Sequence, residues 1–453
     1  MSRANLTEGP IGPTLYRMSL PMVMGIVAIL VFNFVDAYYV SLLGTEYLAA
    51  ISFTFPATFA LMSLNLGLGT ANSTLVAIEL GAGREREARQ MATYSIVIAV
   101  VLVFCAAGVG IAVIDPMFRL LGADSTGLVL IHDYLDIWYL GVGVLTVPML
   151  CNSAMRASGD TRTPSIIMAM SALINGILDP FLIFGIGPFP RMEMQGAALS
   201  SVLSWWIAGA VALITIHRKQ ILDLSRPSYA VVTDCWRRLI KIALPIVGSN
   251  MLNPLALGVV TALVAQFGVA AVAATGVGMR LEPILIIAVM GLATCIPPFV
   301  GQNLGAGRLE RINQAMRLSL RFALVWQGGL ALVLYLAAPW IAGLFGQAEQ
   351  AIEIIRLFLS ILPLSYGFLA WVLLGGAQFN GLRMPNKGLL LNGGRLFVLY
   401  IPFAYWGSQW NGIEGLYMGC ALANVLAGCV AWGWIRHTNK QLLLRMDASM
   451  SGV

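Results

Sequence analysis

The sequence repeats itself at an offset of 224 residues. The stretch Gly81-Ala82-Gly83-Arg84 recurs as Gly305-Ala306-Gly307-Arg308, and Leu20-Pro21 recurs as Leu244-Pro245. With small gaps, the correspondence continues to the end of both halves. One unit of about half the chain has therefore been duplicated, and a long-period repeat determines the architecture before any local feature does.

The two halves differ at three polar positions, where the first half carries an acid or an amide and the second half carries an apolar residue. The corresponding pairs are Asp36/Val260, Asn175/Phe397 and Asp179/Ile401. A buried polar cluster that occurs in only one half is not a packing requirement of the repeated fold. These three polar residues are therefore candidates for a functional site.

Long apolar runs dominate the chain, in which 58% of residues are hydrophobic and only 11% are charged, against ~25% charged in ordinary soluble domains. Runs of this length cross a ~30 Å hydrocarbon core as helices, whereas membrane β-strands would show ~10-residue alternation. We predict an all-α integral membrane protein with twelve transmembrane helices. The predicted spans are residues 15–43, 47–80, 91–114, 128–155, 163–187, 195–217, 238–268, 274–303, 313–337, 354–380, 386–408 and 415–436.

A basic, proline-containing segment interrupts the apolar pattern at residues 218–237, which is also the boundary of the duplication. We predict an N-lobe at 1–217 with spans 1–6, a cytoplasmic linker at 218–237, and a C-lobe at 238–453 with spans 7–12 and a short cytoplasmic tail. Six spans return the chain to the same side of the membrane. The two six-helix bundles are therefore expected to be related by pseudo-two-fold symmetry along the membrane normal, with alternating access to a cavity.

Basic residues predict the orientation of the chain. With the N-terminus in the cytoplasm, 23 of the 27 lysines and arginines, Arg395 among them, are assigned to the inner side. Cytoplasmic loops are enriched in these residues, so we expect both termini in the cytoplasm and no cleavable signal peptide. The net charge of +6 follows from this bias, and no nucleic-acid partner is needed to explain it.

Enzymatic chemistry has no candidate residues in this sequence. The six cysteines lack metal-ligand spacing, and His132, His217 and His437 lie near span ends without forming a cluster. A membrane-embedded hydrolase or acyltransferase would need a nucleophile and a base. We therefore expect a non-enzyme with no metal and no cofactor.

Two acids lie inside predicted spans. Asp36 lies in span 1, and Asp179 lies four residues after Asn175 on one face of span 5. Intramembrane carboxylates are costly and usually functional, and two of them close together cannot both ionise cheaply and so titrate as a unit. We expect Asp36 and Asp179 to bind a coupling proton, with Asn175 organising the pair, although Na⁺ could occupy the same oxygens.

Two prolines and a charged pair complete the candidates. Pro21 in span 1 and Pro180 beside Asp179 each weaken a helix and favour a bend. Arg280 and Glu282, near the start of span 8, either form an ion pair with other spans or shape substrate entry.

Together these motifs resemble the multidrug and toxic compound extrusion (MATE) family over the whole chain. The Asn175-to-Pro180 segment is similar to the branch called DNA-damage-inducible-F-like. The matching stretches are Val35-Asp36, Leu42-Leu43-Gly44, Leu48-Ala49-Ala50, Gly81-Ala82-Gly83, Arg280-Leu281-Glu282 and residues 300–307.

The resemblance implies an antiporter of the bacterial inner (plasma) membrane that exports small amphipathic, mostly cationic drugs. It implies that Asp36, Asn175 and Asp179 bind the coupling ion and that span 1 bends at Pro21. A span 6 threonine hydroxyl that serves the family's cation site is missing here, although Ser200 and Ser201 lie close by. Loss of an oxygen ligand weakens a Na⁺ site more than a proton site, so we expect H⁺ coupling, with Na⁺ at Asp36 and Asp179 as the alternative. Membrane lipid is the other expected partner, and nothing demands more than a monomer.

Two other functions are compatible with such a chain. A flippase for a lipid-linked sugar would need cationic residues for a pyrophosphate, and spans 1–7 have no lysine or arginine well inside them. A passive channel would not need duplicated lobes with acids in only one of them, so coupled transport is favoured over conduction.

Overall fold

The computed structural model describes residues 5–225, 228–345 and 349–451, and within these ranges the chain contains helices and no strand. Eleven helical stretches of this described part are long and apolar enough to cross a membrane. The prediction of an all-α membrane fold is confirmed. The chain ends, which the sequence predicts to be cytoplasmic, lie outside the described residues.

Seven helices form the part of the chain that precedes the predicted linker. They are α1 (Ile11–Ser41), α2 (Thr45–Gly81), α3 (Glu85–Ala112), α4 (Ile114–Leu120), α5 (Ser125–Ala157), α6 (Arg162–Phe184) and α7 (Glu193–Arg218). Six of them match predicted spans 1–6, and the short helix α4 is an addition that the sequence did not predict.

Eight helices and two irregular helical turns follow. They are α8 (Tyr229–Ala265), α9 (Val269–Leu285), α10 (Ile287–Gly305), α11 (Leu309–Phe345), α12 (Glu349–Ile361), a 3₁₀ turn (Leu362–Ser365), α13 (Tyr366–Gly381), α14 (Pro385–Gly393), a π-helix (Gly394–Tyr400) and α15 (Ile401–Ser451). The first turns of α8 lie inside the segment 218–237, and the lobe boundaries remain a prediction.

Several predicted spans of the second half are interrupted. Span 8 divides into α9 and α10 at Ile286, and span 10 contains the 3₁₀ turn, in which Pro363 cannot donate a helical hydrogen bond. Spans 11 and 12 meet at a kink in α15, where Gly412 has a φ of +58° that favours glycine.

Contacts within the chain divide it into two compact units. The first unit comprises the residues up to Leu6 together with Leu20–Val247, and the second comprises Thr7–Ser19 together with the residues from Gly248 onward. In the first unit, α5 packs against α2, α3 and α7, and α6 packs against α7. In the second unit, α13 packs against α10, α11 and α15, and α9 packs against α12.

Helix α7 approaches α6 closely at Gly196. A Cβ atom at this position would lie 2.5 Å from the carbonyl oxygen of Leu182. Gly419, the counterpart of Gly196 in the repeat, likewise faces the carbonyl oxygen of Phe403. Both halves therefore use a glycine to bring two backbones together, and in the first half that contact lies one helical turn before Ser200.

We expect Gly196→Ala to destabilise the protein by about 1–3 kcal/mol, because the added methyl group would force α6 and α7 apart. The matched control is Gly108→Ala on α3, where a Cβ would meet nothing within 4 Å. That change should be neutral or slightly stabilising, since alanine favours a helix by up to about 1 kcal/mol over glycine. Thermal unfolding of the purified variants in detergent measures both effects, and equal unfolding temperatures would contradict the close approach.

Candidate functional site

The first unit brings together the polar residues that distinguish the first half of the sequence. Asp36 lies on α1, Asn175 and Asp179 lie one turn apart on α6, and Ser200 lies on α7. We refer to these four residues as the acid cluster. It brings together residues that are far apart in the sequence.

Asp179 is fully buried and receives hydrogen bonds at one oxygen. The Ser200 hydroxyl donates to Asp179 Oδ1, and Asn175 Nδ2 donates to the same oxygen at 3.2 Å. Asn175 Nδ2 also lies 3.1 Å from Ser200 Oγ and 3.4 Å from Ser201 Oγ. Asn175 thus contacts Asp179, Ser200 and Ser201, and its role as organiser of the two acids stays a prediction.

The second oxygen of Asp179 lacks a partner. Asp179 Oδ2 and Asp36 Oδ1 are both buried without a hydrogen-bond partner in the described part of the chain, and the two carboxyl groups interact electrostatically. Buried polar atoms in native proteins are almost always hydrogen-bonded. Two unpartnered carboxyl oxygens in one cluster therefore make it a candidate site for a proton or a small cation.

Tyr134 is a site residue that the sequence did not reveal. Its buried side chain on α5 interacts electrostatically with both Asp36 and Asp179. The charged neighbours Asp133 and Asp136 stand out in this part of the sequence, and each bonds elsewhere, to Gln195 and His132. A tyrosine in an apolar span gives no comparable signal, since most such residues are packing residues.

Helix α1 is held against α6 at two levels. The Ser165 hydroxyl donates to the carbonyl oxygen of Pro21, and Gly176 leaves the space that the Phe32 ring occupies. These contacts connect the helix that carries Asp36 to the helix that carries Asp179. Helix α1 continues through Pro21 and α6 through Pro180, so bending at either proline remains a prediction.

Arg280 and Glu282 do not belong to the acid cluster. Both lie on α9 in the second unit, where Arg280 is exposed and Glu282 accepts a hydrogen bond from Tyr366 Oη at 3.3 Å. The charge of Glu282 interacts with that of Arg395. The sequence left open whether Arg280 and Glu282 form an ion pair with other spans or shape substrate entry, and the structure places Arg395 as a charged neighbour of Glu282.

Residues 5–225, 228–345 and 349–451 contain no group of three or more histidine, cysteine, aspartate or glutamate side chains that could hold a metal ion. The acid cluster supplies only two carboxyl groups, together with hydroxyl and amide oxygens. Such oxygens suit a proton or an alkali cation better than a transition metal, which prefers nitrogen and sulfur ligands.

Comparison with protein families gives one match in each half of the chain. The family described as MatE matches residues 21–181 and residues 245–406. The two matches begin 224 residues apart, which is the offset of the internal repeat.

Individual proteins are similar over nearly the whole chain. A protein of Shewanella oneidensis named FAD transporter is 40% identical over 436 residues, covering 95% of each chain. A Bacillus subtilis protein named probable multidrug resistance protein YpnP is 25% identical over 443 residues, covering 96% of this chain and 97% of its own. The crystal structure of the Vibrio cholerae MATE transporter VcmN in the bent form aligns with a TM-score of 0.92 at 30% identity, covering 96% of this chain and 98% of that one.

Adjacent serines test the hydrogen bonding of the cluster. We expect Ser200→Ala to destabilise the protein by about 1–3 kcal/mol, because it leaves the buried Asp179 without one of its hydrogen-bond donors. Ser201→Ala should change stability by less than about 0.5 kcal/mol, since its hydroxyl makes only the long contact to Asn175. Thermal unfolding of both variants at neutral pH measures the difference, and an equal loss for the two serines would contradict this geometry.

Proposed function

We propose that this chain, which belongs to the MatE family of transporters, exports organic compounds from the cytoplasm in exchange for protons. The chain is a multi-pass membrane protein with bacterial relatives, and its family carries out transport rather than an enzymatic reaction. The resemblance inferred from the sequence is therefore confirmed at the level of the family. Membership of the DNA-damage-inducible-F-like branch remains a proposal, as do the bacterial inner membrane, the cytoplasmic termini and the monomeric state.

The acid cluster carries the proposal for coupling. Among the described residues, Asp179 has two hydrogen-bond donors on one oxygen and none on the other, and Asp36 likewise has an unpartnered oxygen. A proton bound at either free oxygen removes a charge and turns that oxygen into a donor. We infer that this change weakens the repulsion between the two acids on α1 and α6 and so favours one conformation of α1, which gives alternating access.

Na⁺ remains the alternative coupling ion. The sequence favoured protons because a span 6 threonine is missing, yet Ser200 supplies a hydroxyl group to the acid cluster. That hydroxyl donates to Asp179 Oδ1, so its oxygen belongs to the same acid cluster. Protons are proposed first because a bound proton needs only one oxygen, whereas an alkali cation needs several oxygen ligands in the same place.

Two substrate classes follow from the relatives. Amphipathic organic cations, the class predicted from the sequence, are supported by relatives named multidrug resistance proteins at about 25% identity. FAD is the second class, and it is supported by the relative named FAD transporter at 40% identity over 95% of the chain. The higher identity favours FAD, and direct transport measurements with both compounds distinguish the two classes.

The coupling proposal is tested in proteoliposomes under an imposed pH gradient or an imposed Na⁺ gradient, with ethidium and FAD as substrates. We expect the pH gradient alone to drive transport by the wild type, and Asp36→Asn to abolish that transport because the carboxyl group that binds the proton is removed. The matched control is Asp124→Asn, the same change at an exposed acid. Asn preserves the helix cap that Asp124 makes to Gly127.

Each outcome leads to a different conclusion. Transport that only the Na⁺ gradient drives would assign the acid cluster to Na⁺. Transport that is undiminished in Asp36→Asn would remove Asp36 from the coupling mechanism. If neither gradient drives either substrate, the flippase interpretation replaces export of drugs or FAD.

A further inference from the structure

The second unit contains a charged cluster of its own, which has no role in the proposed coupling mechanism. Its members, which we call the arginine cluster, are Glu282 on α9, Tyr366 at the start of α13, Asn392 on α14, Arg395 in the π-helix and Asn424 on α15. Counted from Pro385, Arg395 lies about 15 Å along its helix, within a stretch that is long and apolar enough to cross a membrane. The sequence grouped Arg395 with the inner-side basic residues, and that assignment stays a prediction.

Two neutral amides orient the guanidinium of Arg395. Nη1 donates to Asn424 Oδ1 at 3.2 Å, and Nη2 donates to Asn392 Oδ1 at 3.4 Å. Both amides are fixed in turn, since Asn424 Nδ2 donates to Ser365 Oγ at 3.1 Å and Asn392 Nδ2 donates to the Ser249 carbonyl oxygen at 2.9 Å. The arginine is thus held in place without a direct bond to an acid.

The positive charge of Arg395 is only partly balanced. In the ranges that the structure describes, no ion pair joins Arg395 to a carboxylate, and Arg395 Nε is buried without a hydrogen-bond partner. Glu282 interacts with Arg395 electrostatically, but its hydrogen bond comes from Tyr366. An intramembrane cation with neutral partners and a free donor is costly, and such residues usually mark a substrate or ion site.

Comparison of the two halves shows that the repeated fold does not require charges at the positions of Glu282 and Arg395. At the offsets that align the two halves, Glu282 corresponds to Thr58 and Arg395 corresponds to Leu173. The first half therefore folds with neutral residues at both positions. By the reasoning that identified the acid cluster, charges present in only one half indicate function.

The two clusters lie on corresponding helices. Asn175 and Asp179 lie on span 5, whose counterpart, span 11, carries Arg395. Asn424 on span 12 corresponds to Ser201 on span 6. The α-helix of span 5 is replaced in span 11 by the π-helix Gly394–Tyr400, a distortion that is frequent at functional sites. The same part of the repeat thus carries acids in one half and a cation in the other.

We propose that Arg395, braced by Asn392 and Asn424, binds the negatively charged phosphate group of an organic substrate such as FAD. This inference rests on the proposed transport function and refines its second substrate class. A guanidinium presents a planar set of donors that matches the oxygens of a phosphate. Arg395 and Asn392 are both partly exposed, so the brace leaves part of the guanidinium free to bind. Glu282 limits the affinity through its negative charge, which favours release of the anion.

The test measures equilibrium binding, which does not depend on coupling. Isothermal titration calorimetry on the full-length protein in nanodiscs of zwitterionic lipid gives Kd values for FAD, FMN and riboflavin, of which only riboflavin lacks phosphate. Arg395→Gln should raise the Kd for FAD and FMN by about tenfold or more, and that for riboflavin by less than about twofold, because charge-assisted hydrogen bonds contribute on this scale. The matched control is Arg356→Gln, an exposed arginine on α12, which should leave all three constants unchanged.

A second variant should bind FAD more tightly than the wild type, an effect that a general loss of folding cannot produce. Glu282→Gln should lower the Kd for FAD, because it removes a negative charge near the phosphate. The proposal is overturned if the wild type binds FAD no better than riboflavin, or if Arg395→Gln weakens riboflavin and FAD equally. It is also overturned if Arg395 binds an anionic phospholipid instead of FAD. In that case the wild type would copurify with such a lipid, and the Arg395→Gln variant would lose the lipid but bind FAD as tightly as the wild type.

Failure of the coupling proposal is distinguishable from failure of this one. Asp36→Asn should lose gradient-driven transport while keeping the FAD affinity of the wild type, since the two residues lie in different units. Coupled transport of ethidium alone, with no phosphate-dependent binding, would leave the acid cluster in its role and remove Arg395 from substrate recognition.

Discussion

A carboxylate inside a membrane has no water to bond with, so neighbouring helices must supply its partners. Asp179 meets this requirement on one side through Ser200 and Asn175, and it leaves the other side open. The packing of α6 and α7 makes this arrangement possible, because Gly196 lets α7 approach α6 closely enough for Ser200 to reach Asp179. Contacts between α1 and α6 then place Asp36 where it interacts with Asp179. A half-satisfied acid pair of this kind is suited to binding and releasing a proton.

Duplication supplied two copies of one helical unit, and the copies have acquired opposite charges on corresponding spans. The first carries Asp179 where the second carries Ile401, and the second carries Arg395 where the first carries Leu173. In both copies an amide or hydroxyl on the last span contacts the charged residue, as Asn424 does with Arg395. We propose that this division separates two tasks that coupled export requires, namely binding the driving ion and recognising a charged substrate.

The sequence predicted the helices and the acid cluster from different physical signals. Apolar runs located the spans because a membrane helix must be apolar along most of its length, but they could not show the break at Ile286, where composition stays apolar. Comparison of the halves identified Asp179 because polar residues are conspicuous in spans. The same comparison did not identify Tyr134, because an aromatic residue inside a span is as compatible with a packing role as with a functional one. Arg395 was grouped with inner-side residues because charge counting uses position along the chain, whereas its bonds to two amides depend on tertiary structure.

Proton movement driven by the substrate is the most direct measure of the central claim that Asp36 and Asp179 couple transport to protons. Liposomes containing the protein and a trapped pH-sensitive dye are given an outward gradient of ethidium or FAD, whichever the purified protein carries, and no pH gradient. We expect acidification of the lumen as substrate leaves, and no acidification with Asp36→Asn. Substrate efflux without acidification in the wild type would contradict it.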